Sequence, residues 1–242
     1  MKGTCKLCAN EREIRKSHII PDFHYGPLYD GAHRLNVLPS DGRHTRIPTG
    51  YYERLLCDDC EEKFSRWETY YKRILFDGGL DYHSSSERHM TLKGADVATV
   101  YLYHLSVLWR MSISRLPIFG AVSLGDFHEA EIRRLLLAED GSRPEAYPVT
   151  LTAVLVDGEA RPGWIHSPDW VRDGDGRRCY RFVLSGIAYH VLVSRDQSSL
   201  HSDLWRKTGD RITIFVEDVM NVPFLRDSLR NVAANLNRPK RR

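Results

Sequence analysis

Two pairs of cysteines have the spacing that binds a metal ion. Cys5 and Cys8 form one C-x-x-C in "CKLC", and Cys57 and Cys60 form another in "CDDC". This spacing lets one tight turn offer two thiolates to a tetrahedral zinc ion at about 2.3 Å. The sequence therefore predicts one shared four-cysteine zinc site. Four thiolates close the coordination shell, so this zinc would be structural and any reactive chemistry must come from other residues.

The cell compartment follows from the cysteines and from the N-terminus. The first residues are charged where a signal peptide has an apolar core, and no run approaches the ~20 apolar residues that span a bilayer. We therefore expect a cytoplasmic protein that does not engage a membrane. In a reducing compartment, paired cysteines favour metal binding over disulfides. The fifth cysteine, Cys179, has no such pairing and is expected to be a small packed residue.

The order of the motifs resembles the HNH endonucleases, members of the ββα-metal nuclease group, in the form with a zinc knuckle around the active site. In that family D-H-I-x-P closes the first strand, and L-C-x-x-C-H begins the helix. Here "SHIIP" at 17–21 and "LLCDDCE" at 55–61 stand at those places. The resemblance covers residues 5–76 and leaves the larger part of the chain without a counterpart.

The resemblance implies a metal-dependent nuclease site. His18 would be the general base that takes a proton from the attacking water. Glu61 would bind a catalytic Mg²⁺ or another divalent cation, which stabilises charge on the scissile phosphate. A histidine suits the role of base because its ordinary pKa is near neutral. The implied substrate is nucleic acid, with DNA favoured over RNA.

Two positions depart from the family pattern. Ser17 stands where the family has a metal-binding acid, and Glu61 stands where it has a histidine. A carboxylate is an acceptable Mg²⁺ ligand, whereas a hydroxyl is a poor replacement for a carboxylate. The residues that could supply a replacement ligand are Asp22, His24, His33, Asp58 and Glu62. A second interpretation of His18 also stays open, in which it hydrogen-bonds a backbone carbonyl and braces the zinc knuckle.

Arginines alternate with aromatic residues between the two cysteine pairs. We assign Arg43, Arg46 and Arg54 to nucleic-acid binding, because guanidinium groups bind phosphate in a bidentate manner. A solvated insertion would have the same composition. The formal net charge of +3 does not by itself indicate nucleic acid, since it is smaller than the charge of the four cations in the C-terminal "RPKRR".

These residues must be positioned by an N-terminal module. A one-faced aromatic pattern after Cys57 predicts a helix that begins at or within the second C-x-x-C. The glycine- and serine-containing stretch at 77–90 predicts a boundary or hinge. We therefore expect two domains, a zinc-bound HNH-like module at 1–78 and an α+β domain at 90–242.

The second domain is predicted from a change in the spacing of apolar residues, from the helical period to alternation. Buried and amphipathic helices are expected over 94–114 and over 125–140, the latter with Asp126 as its N-cap. Alternating patterns then predict strands within 147–159, 178–194 and 210–218, and a last helix begins near Pro223. The turns between strands are predicted at Asp157–Gly158 and Ser185–Gly186. The predicted fold class is α+β with a mainly antiparallel sheet.

Two functions are compatible with these patterns, and so is a third, structural role as a subunit of a larger complex in which the zinc only stiffens the fold. The first is an HNH-like, metal-dependent endonuclease, a type of protein that often serves in mobile elements or bacterial anti-phage defence. Its C-terminal domain would bind a protein partner or select the substrate. The second is a non-catalytic, zinc-stabilised module that binds nucleic acid or a protein partner within a larger complex. The two differ in whether His18 acts on substrate.

Overall fold

The structure is a computed structural model that describes residues 1–29, 35–37, 45–47, 50–78, 82–86, 88–160, 163–195 and 210–236. For the segments 35–37, 45–47 and 82–86 only the backbone is described. Arg43 and His33, both named above as candidate site residues, lie outside these ranges.

The N-terminal part combines a small sheet with a long helix. Its described strands are β1 (Lys2–Thr4), β2 (Glu11–His18), β3 (Leu35–Val37), β4 (Thr45–Ile47) and β5 (Tyr52–Cys57). β1, β2 and β5 form an antiparallel sheet in that order, and β3 pairs with β4. Helix α1 (Asp58–Leu75) follows β5 directly. The helix thus begins inside the second C-x-x-C, as predicted, with acidic residues in its first turn where the helix dipole favours them.

The turn between β1 and β2 carries Cys5 and Cys8 and needs a residue in the left-handed region directly after them. Ala9 fills this position with a φ of 63°, and its amide donates a hydrogen bond to the Cys5 carbonyl oxygen at 2.9 Å. The Cβ of alanine makes this backbone conformation less favourable than it would be for glycine.

Ala9→Gly is expected to raise the free energy of unfolding by about 0.5–1 kcal/mol, because glycine adopts a positive φ without steric cost. Urea denaturation of the metal-loaded protein measures the change. Ala130→Gly is the matched control, since Ala130 is an exposed residue inside a helix and its replacement should cost about 1 kcal/mol. Equal destabilisation at both positions would contradict the proposed strain at Ala9.

Three further helices are described: α2 (Val97–Ile113), α3 (Gly125–Ala138) and α4 (Pro223–Leu236). Residues 100–111 of α2 are all buried, which confirms the prediction of a buried helix. The predicted N-cap of α3 is wrong, because Leu124 occupies that position and Asp126 lies in the first turn. Of the helices described, none is both long and apolar enough to cross a bilayer.

A large, mainly antiparallel sheet forms the rest of the protein, which confirms an α+β fold. Its strands are β6 (Tyr82–Ser86), β7 (His89–Lys93), β8 (Val149–Val156), β9 (Glu159–Ala160), β10 (Ile165–Arg172), β11 (Arg178–Leu184), β12 (Ile187–Val193) and β13 (Arg211–Asp218). The order across the sheet is β10, β11, β12, β8, β13, β7, β6, and β9 pairs with β8. Only the pairing of β13 with β8 is parallel among the described strands.

Two tight turns in this sheet were predicted correctly. Asp157 and Gly158 join β8 to β9 with φ values of 55° and 78°, and Ser185 and Gly186 join β11 to β12 with 50° and 76°. Positive φ at both central residues is the requirement of the two-residue hairpin turn that matches the twist of the strands.

The predicted boundary at 77–90 contains β6 and the first residues of β7, and β7 extends the large sheet by pairing with β13. Residues before and after this segment also share one hydrophobic core, in which α1 packs against α2. A buried hydrogen-bonded group links them as well, since His24 Nδ1 lies 2.8 Å from Ser185 Oγ and Nε2 lies 2.7 Å from Tyr103 Oη. The division into domains 1–78 and 90–242 stays a prediction, because shared packing does not measure independent folding.

Candidate metal centre and adjoining site

The four predicted cysteine ligands lie together. The Sγ atoms of Cys5, Cys8, Cys57 and Cys60 are all within 4.8 Å of one another, and those of Cys8 and Cys57 are 3.9 Å apart. Four sulfurs around a tetrahedral zinc with Zn–S distances of about 2.3 Å would be about 3.8 Å apart. A disulfide would require about 2.05 Å, and all four cysteines are free thiols. The cluster can therefore hold one metal ion.

Backbone hydrogen bonds hold the two cysteine pairs in place. The Lys6 amide donates to the Leu55 carbonyl oxygen at 2.9 Å, which fixes the first turn against β5. The Cys57 amide donates to Cys5 Sγ at 3.4 Å. Cys5, Cys57 and Cys60 are buried, whereas Cys8 is partly exposed. The cluster thus closes the junction between the first turn, β5 and α1.

The thiols of the cluster differ in their pKa values. Burial disfavours ionisation of Cys5, but backbone hydrogen bonds from Cys8, Cys57 and Leu7 outweigh it and lower the pKa of this thiol. Burial raises the pKa of the Cys60 thiol above its usual range, and the neighbouring Cys57 and Cys5 thiols raise it further. Burial likewise raises the pKa of Cys57. Because four thiolates this close repel one another, a bound divalent cation is what would favour the ionised form of the set.

His18 lies at the end of β2 with its ring partly open to solvent. Its Nε2 is 3.7 Å from Asp22 Oδ1, and its side chain is 38% exposed. Tyr52 pairs with it across the sheet, with ring centroids 6.4 Å apart. Its carbonyl oxygen, by contrast, points inward and accepts a hydrogen bond from Arg110 Nη1 at 2.6 Å. His18 therefore presents a reachable imidazole beside a carboxylate that can orient it.

Ser17 faces the other side of β2 and contacts Glu61. Its side chain is fully buried, its hydroxyl donates to Glu61 Oε1, and the Leu56 amide donates to the same hydroxyl oxygen at 3.1 Å. Within the described part of the chain, Glu61 Oε2 accepts no hydrogen bond. Ser17, which stands where the HNH pattern has an acid, thus forms a hydrogen bond from β2 to the first turn of α1.

The Glu61 carboxyl is the perturbed acid of this region. Burial raises its pKa, and the close carboxylates of Glu68 and Asp58 add to the shift. The hydrogen bond from Ser17 and the positive charge of Arg110 oppose it. A cation bound at Glu61 would counteract this rise in pKa, because it would favour the ionised carboxylate.

Arg110 on α2 places a buried guanidinium beneath the same site. Only 1% of its side chain is exposed, and its Nη2 lies 2.7 Å from Glu68 Oε1. Nε donates to the Ser106 carbonyl oxygen at 3.2 Å, and the guanidinium lies 5.2 Å from the centre of the Phe64 ring. No sequence pattern indicated this residue, because it is distant in the chain and lies inside an apolar helix.

The candidates for a replacement ligand are dispersed. Asp58 binds Arg15 through both carboxylate oxygens, and Asp22 lies beside His18. His24 is buried, and its two ring nitrogens are hydrogen-bonded to Ser185 and Tyr103. They are therefore not placed to bind a metal beside Glu61. Glu62 is exposed. The structure thus brings Glu61 into contact with Ser17, and it shows none of these four residues beside Glu61 as a further ligand among the contacts described.

Of the three arginines assigned to phosphate, the structure describes the side chain of Arg54. Arg54 lies on β5 opposite Lys16, is exposed, and donates a hydrogen bond from Nη1 to the Ile14 carbonyl oxygen at 2.9 Å. Arg46 lies on β4, of which only the backbone is described, and Arg43 is outside the described residues. Lys16 was missed from the sequence, although alternation along β2 places it on the same face as His18.

Comparisons with protein-family models, with curated proteins and with solved structures found no match to this chain.

Proposed function

We propose that the four-cysteine cluster holds a structural zinc ion and that the adjoining site is an HNH-like endonuclease site acting on nucleic acid, with DNA the favoured substrate. An all-thiolate tetrahedral donor set favours zinc over Mg²⁺ or Ca²⁺, which take oxygen ligands. With its shell closed, the zinc fixes β2 and β5 against the first turn of α1. Its role is to hold the residues that do the chemistry.

The observation that carries the nuclease proposal is the placement of His18 and Glu61 on a strand–strand–helix unit. β2 ends at His18, β5 runs antiparallel to it, and α1 begins at Asp58, so that Glu61 lies in the first turn of the helix. Ser17, next to His18, contacts Glu61 directly. The unit thus has a solvent-reachable imidazole at the end of β2 and, in the first turn of α1, a carboxylate that Ser17 contacts from the opposite face of β2.

The residues of the site fit a weakly held divalent cation. Mg²⁺ is commonly bound by one or two carboxylates, with water and substrate phosphate as its other ligands. Glu61 Oε2 is free of hydrogen bonds from described residues and could be such a ligand. The cation would supply positive charge to the scissile phosphate. In this proposal His18 accepts the proton of the attacking water, and Asp22 orients the imidazole and stabilises its protonated form.

His18→Ala is expected to lower the rate of Mg²⁺-dependent cleavage by about 100-fold or more, because it removes the general base. The measurement is cleavage of supercoiled plasmid, single-stranded DNA and RNA by zinc-loaded protein, with added Mg²⁺ or Mn²⁺. The matched control is His89→Ala, which removes a partly buried histidine on β7. Zinc content and melting temperature should be unchanged in both variants. Cleavage that survives in His18→Ala would refute the assigned role.

A second function has one observation in its favour. The buried charge of Arg110 opposes the rise in the pKa of Glu61, and the Ser17 hydroxyl is hydrogen-bonded to both Glu61 and the Leu56 amide. Protein groups could therefore occupy the place of a metal ion. The chain would then bind nucleic acid without cutting it. The exposed face of β2 and β5 suits that function, because Lys16 Nζ lies 4.6 Å from the centre of the Tyr52 ring and Arg54 is adjacent.

The same assay separates the two functions. Wild-type protein that binds an oligonucleotide but cleaves no substrate with either metal would favour the binding module. In that case Lys16→Ala should weaken binding and reduce its salt dependence, whereas His18→Ala should have little effect.

A further inference from the structure

A separate cavity lies between α3, the segment before β8 and the end of β12. Its volume is about 170 Å³. We call it the arginine pocket, because three guanidinium groups contribute to its lining. The polar side chains that line it and matter here are those of His128, Glu131, Arg134, Arg143, Tyr147 and Arg195. None of these residues belongs to the zinc or nuclease-like site.

Positive charge exceeds negative charge in this pocket. Glu131 is the acid of its lining, and it is engaged by Arg134 through both oxygens, at 3.0 and 2.8 Å. Arg143 lies 3.6 Å from Glu145. Among the residues the structure describes, none offers Arg195 a carboxylate within ion-pair distance, and its guanidinium lies 4.3 Å from the centre of the Phe127 ring. Within the described ranges Arg195 is thus a cation without a carboxylate partner, and it lies against an aromatic face.

The pKa of His128 reflects the positive charge around the pocket. His128 Nδ1 lies 3.1 Å from the Tyr147 hydroxyl. Burial lowers the pKa of His128, and the charges of Arg195 and Arg178 lower it further. His128 and Phe127 also lie in the first turn of α3, where the free amides and the helix dipole favour an anion.

We propose that the arginine pocket binds the phosphoryl group of a small phosphorylated molecule. Guanidinium groups match phosphate in a bidentate geometry, and Arg195 and Arg143 supply two of them beside the first turn of α3. The volume is below the range of about 300–1,000 Å³ that encloses a whole drug-sized ligand. The pocket therefore takes the charged group, while the remainder of the ligand lies outside it. The planar Phe127 ring, which is 52% exposed, borders that outer region.

Isothermal titration calorimetry of the full-length, zinc-loaded protein tests the proposal, with pyrophosphate and AMP as phosphoryl probes and malonate as the carboxylate comparison. Both phosphoryl probes should bind, and malonate should bind at least tenfold more weakly. Arg195→Ala should weaken pyrophosphate binding by roughly tenfold to a hundredfold, because it removes a charge-assisted contact. The Arg195 side chain is exposed, so its removal should leave the melting temperature unchanged.

A second variant should change affinity in the opposite direction. Glu131→Gln keeps the shape of the side chain but removes its charge and releases Arg134, so pyrophosphate should bind several-fold more tightly. Arg230→Ala is the control, since Arg230 is an exposed arginine on α4 with a weak ion pair to Asp227. It should leave the affinity unchanged.

Three results would overturn the proposal. The first is the absence of pyrophosphate binding at millimolar concentration. The second is an equal loss of affinity in Arg195→Ala and Arg230→Ala, which would indicate attraction to overall charge. The third is malonate binding as tightly as pyrophosphate, which would assign the pocket to carboxylates. Because none of these measurements involves cleavage, failure of the nuclease proposal would leave the result unaffected.

Discussion

Cys57→Ser is expected to remove the bound metal and to unfold the N-terminal part of the protein. Apparent binding energies of structural zinc sites are about 10–16 kcal/mol near neutral pH, as large as the whole stability of a typical domain, about 5–15 kcal/mol. A serine hydroxyl does not replace the thiolate. Cys57 also lies at the point where β5 meets α1, and its amide is bonded to Cys5 Sγ. Loss of the metal would therefore release the turn between β1 and β2, the end of β5 and the start of α1 from one another.

Metal content and thermal unfolding measure this effect together. The wild-type protein should contain one zinc ion per chain, and Cys57→Ser should contain none and melt at a much lower temperature. Cys179→Ser is the matched control within the same chain, because Cys179 lies on β11 and is not part of the cluster. It should retain the zinc. A Cys57→Ser protein that stays folded and metal-loaded would refute the structural role of the site.

Arg110→Met is expected to lower the free energy of unfolding by about 3 kcal/mol, because it breaks a buried ion pair and leaves its partners uncompensated. Methionine keeps the unbranched apolar stem of the side chain but none of its donors. Glu68 would lose the cation 2.7 Å away, and the His18 carbonyl oxygen would lose its donor. We place the cost at the low end of the range for buried pairs because 21% of the Glu68 side chain is exposed and water can partly hydrate it.

Chemical denaturation of three variants tests this interpretation. Arg66→Met breaks the exposed ion pair with Glu139, at 2.8 Å, and should cost at most about 1 kcal/mol. The double variant Arg110→Met with Glu68→Gln should recover part of the loss, since the unpaired carboxylate is then absent. If Arg110→Met costs no more than Arg66→Met, the guanidinium does not support the His18 strand.

The local features of the fold could be predicted because they depend on neighbouring residues. The start of α1 within the second C-x-x-C follows from acidic residues and a one-faced aromatic pattern, and Phe64, Trp67 and Tyr71 are buried on that face. The Ser185–Gly186 turn follows from two apolar runs separated by two residues. The N-cap of α3 was misplaced by two residues, because a polar residue near a helix start does not by itself specify which backbone amide it will bond.

The surroundings of His18 could be predicted only in part. The sequence identified His18 and Glu61 through their motif, and it identified Ser17 as the exception. It did not show that Ser17 bonds to Glu61, nor that Arg110 lies beneath them, because these contacts join segments that meet only when α2 packs against α1.

The sequence by itself determined the grouping of the four cysteines, the order of helices and strands around them and the α+β class, since spacing and periodicity are properties of short segments. Only the tertiary structure decided the environment of the Ser17 and Glu61 side chains and the partner of the buried Arg110. The same holds for the arginine pocket, in which α3, the segment before β8 and the end of β12 contribute charges that no single stretch of sequence contains. Burial and long-range packing determine the pKa values and decide which charges have partners. Burial and packing in turn depend on residues far apart in the chain.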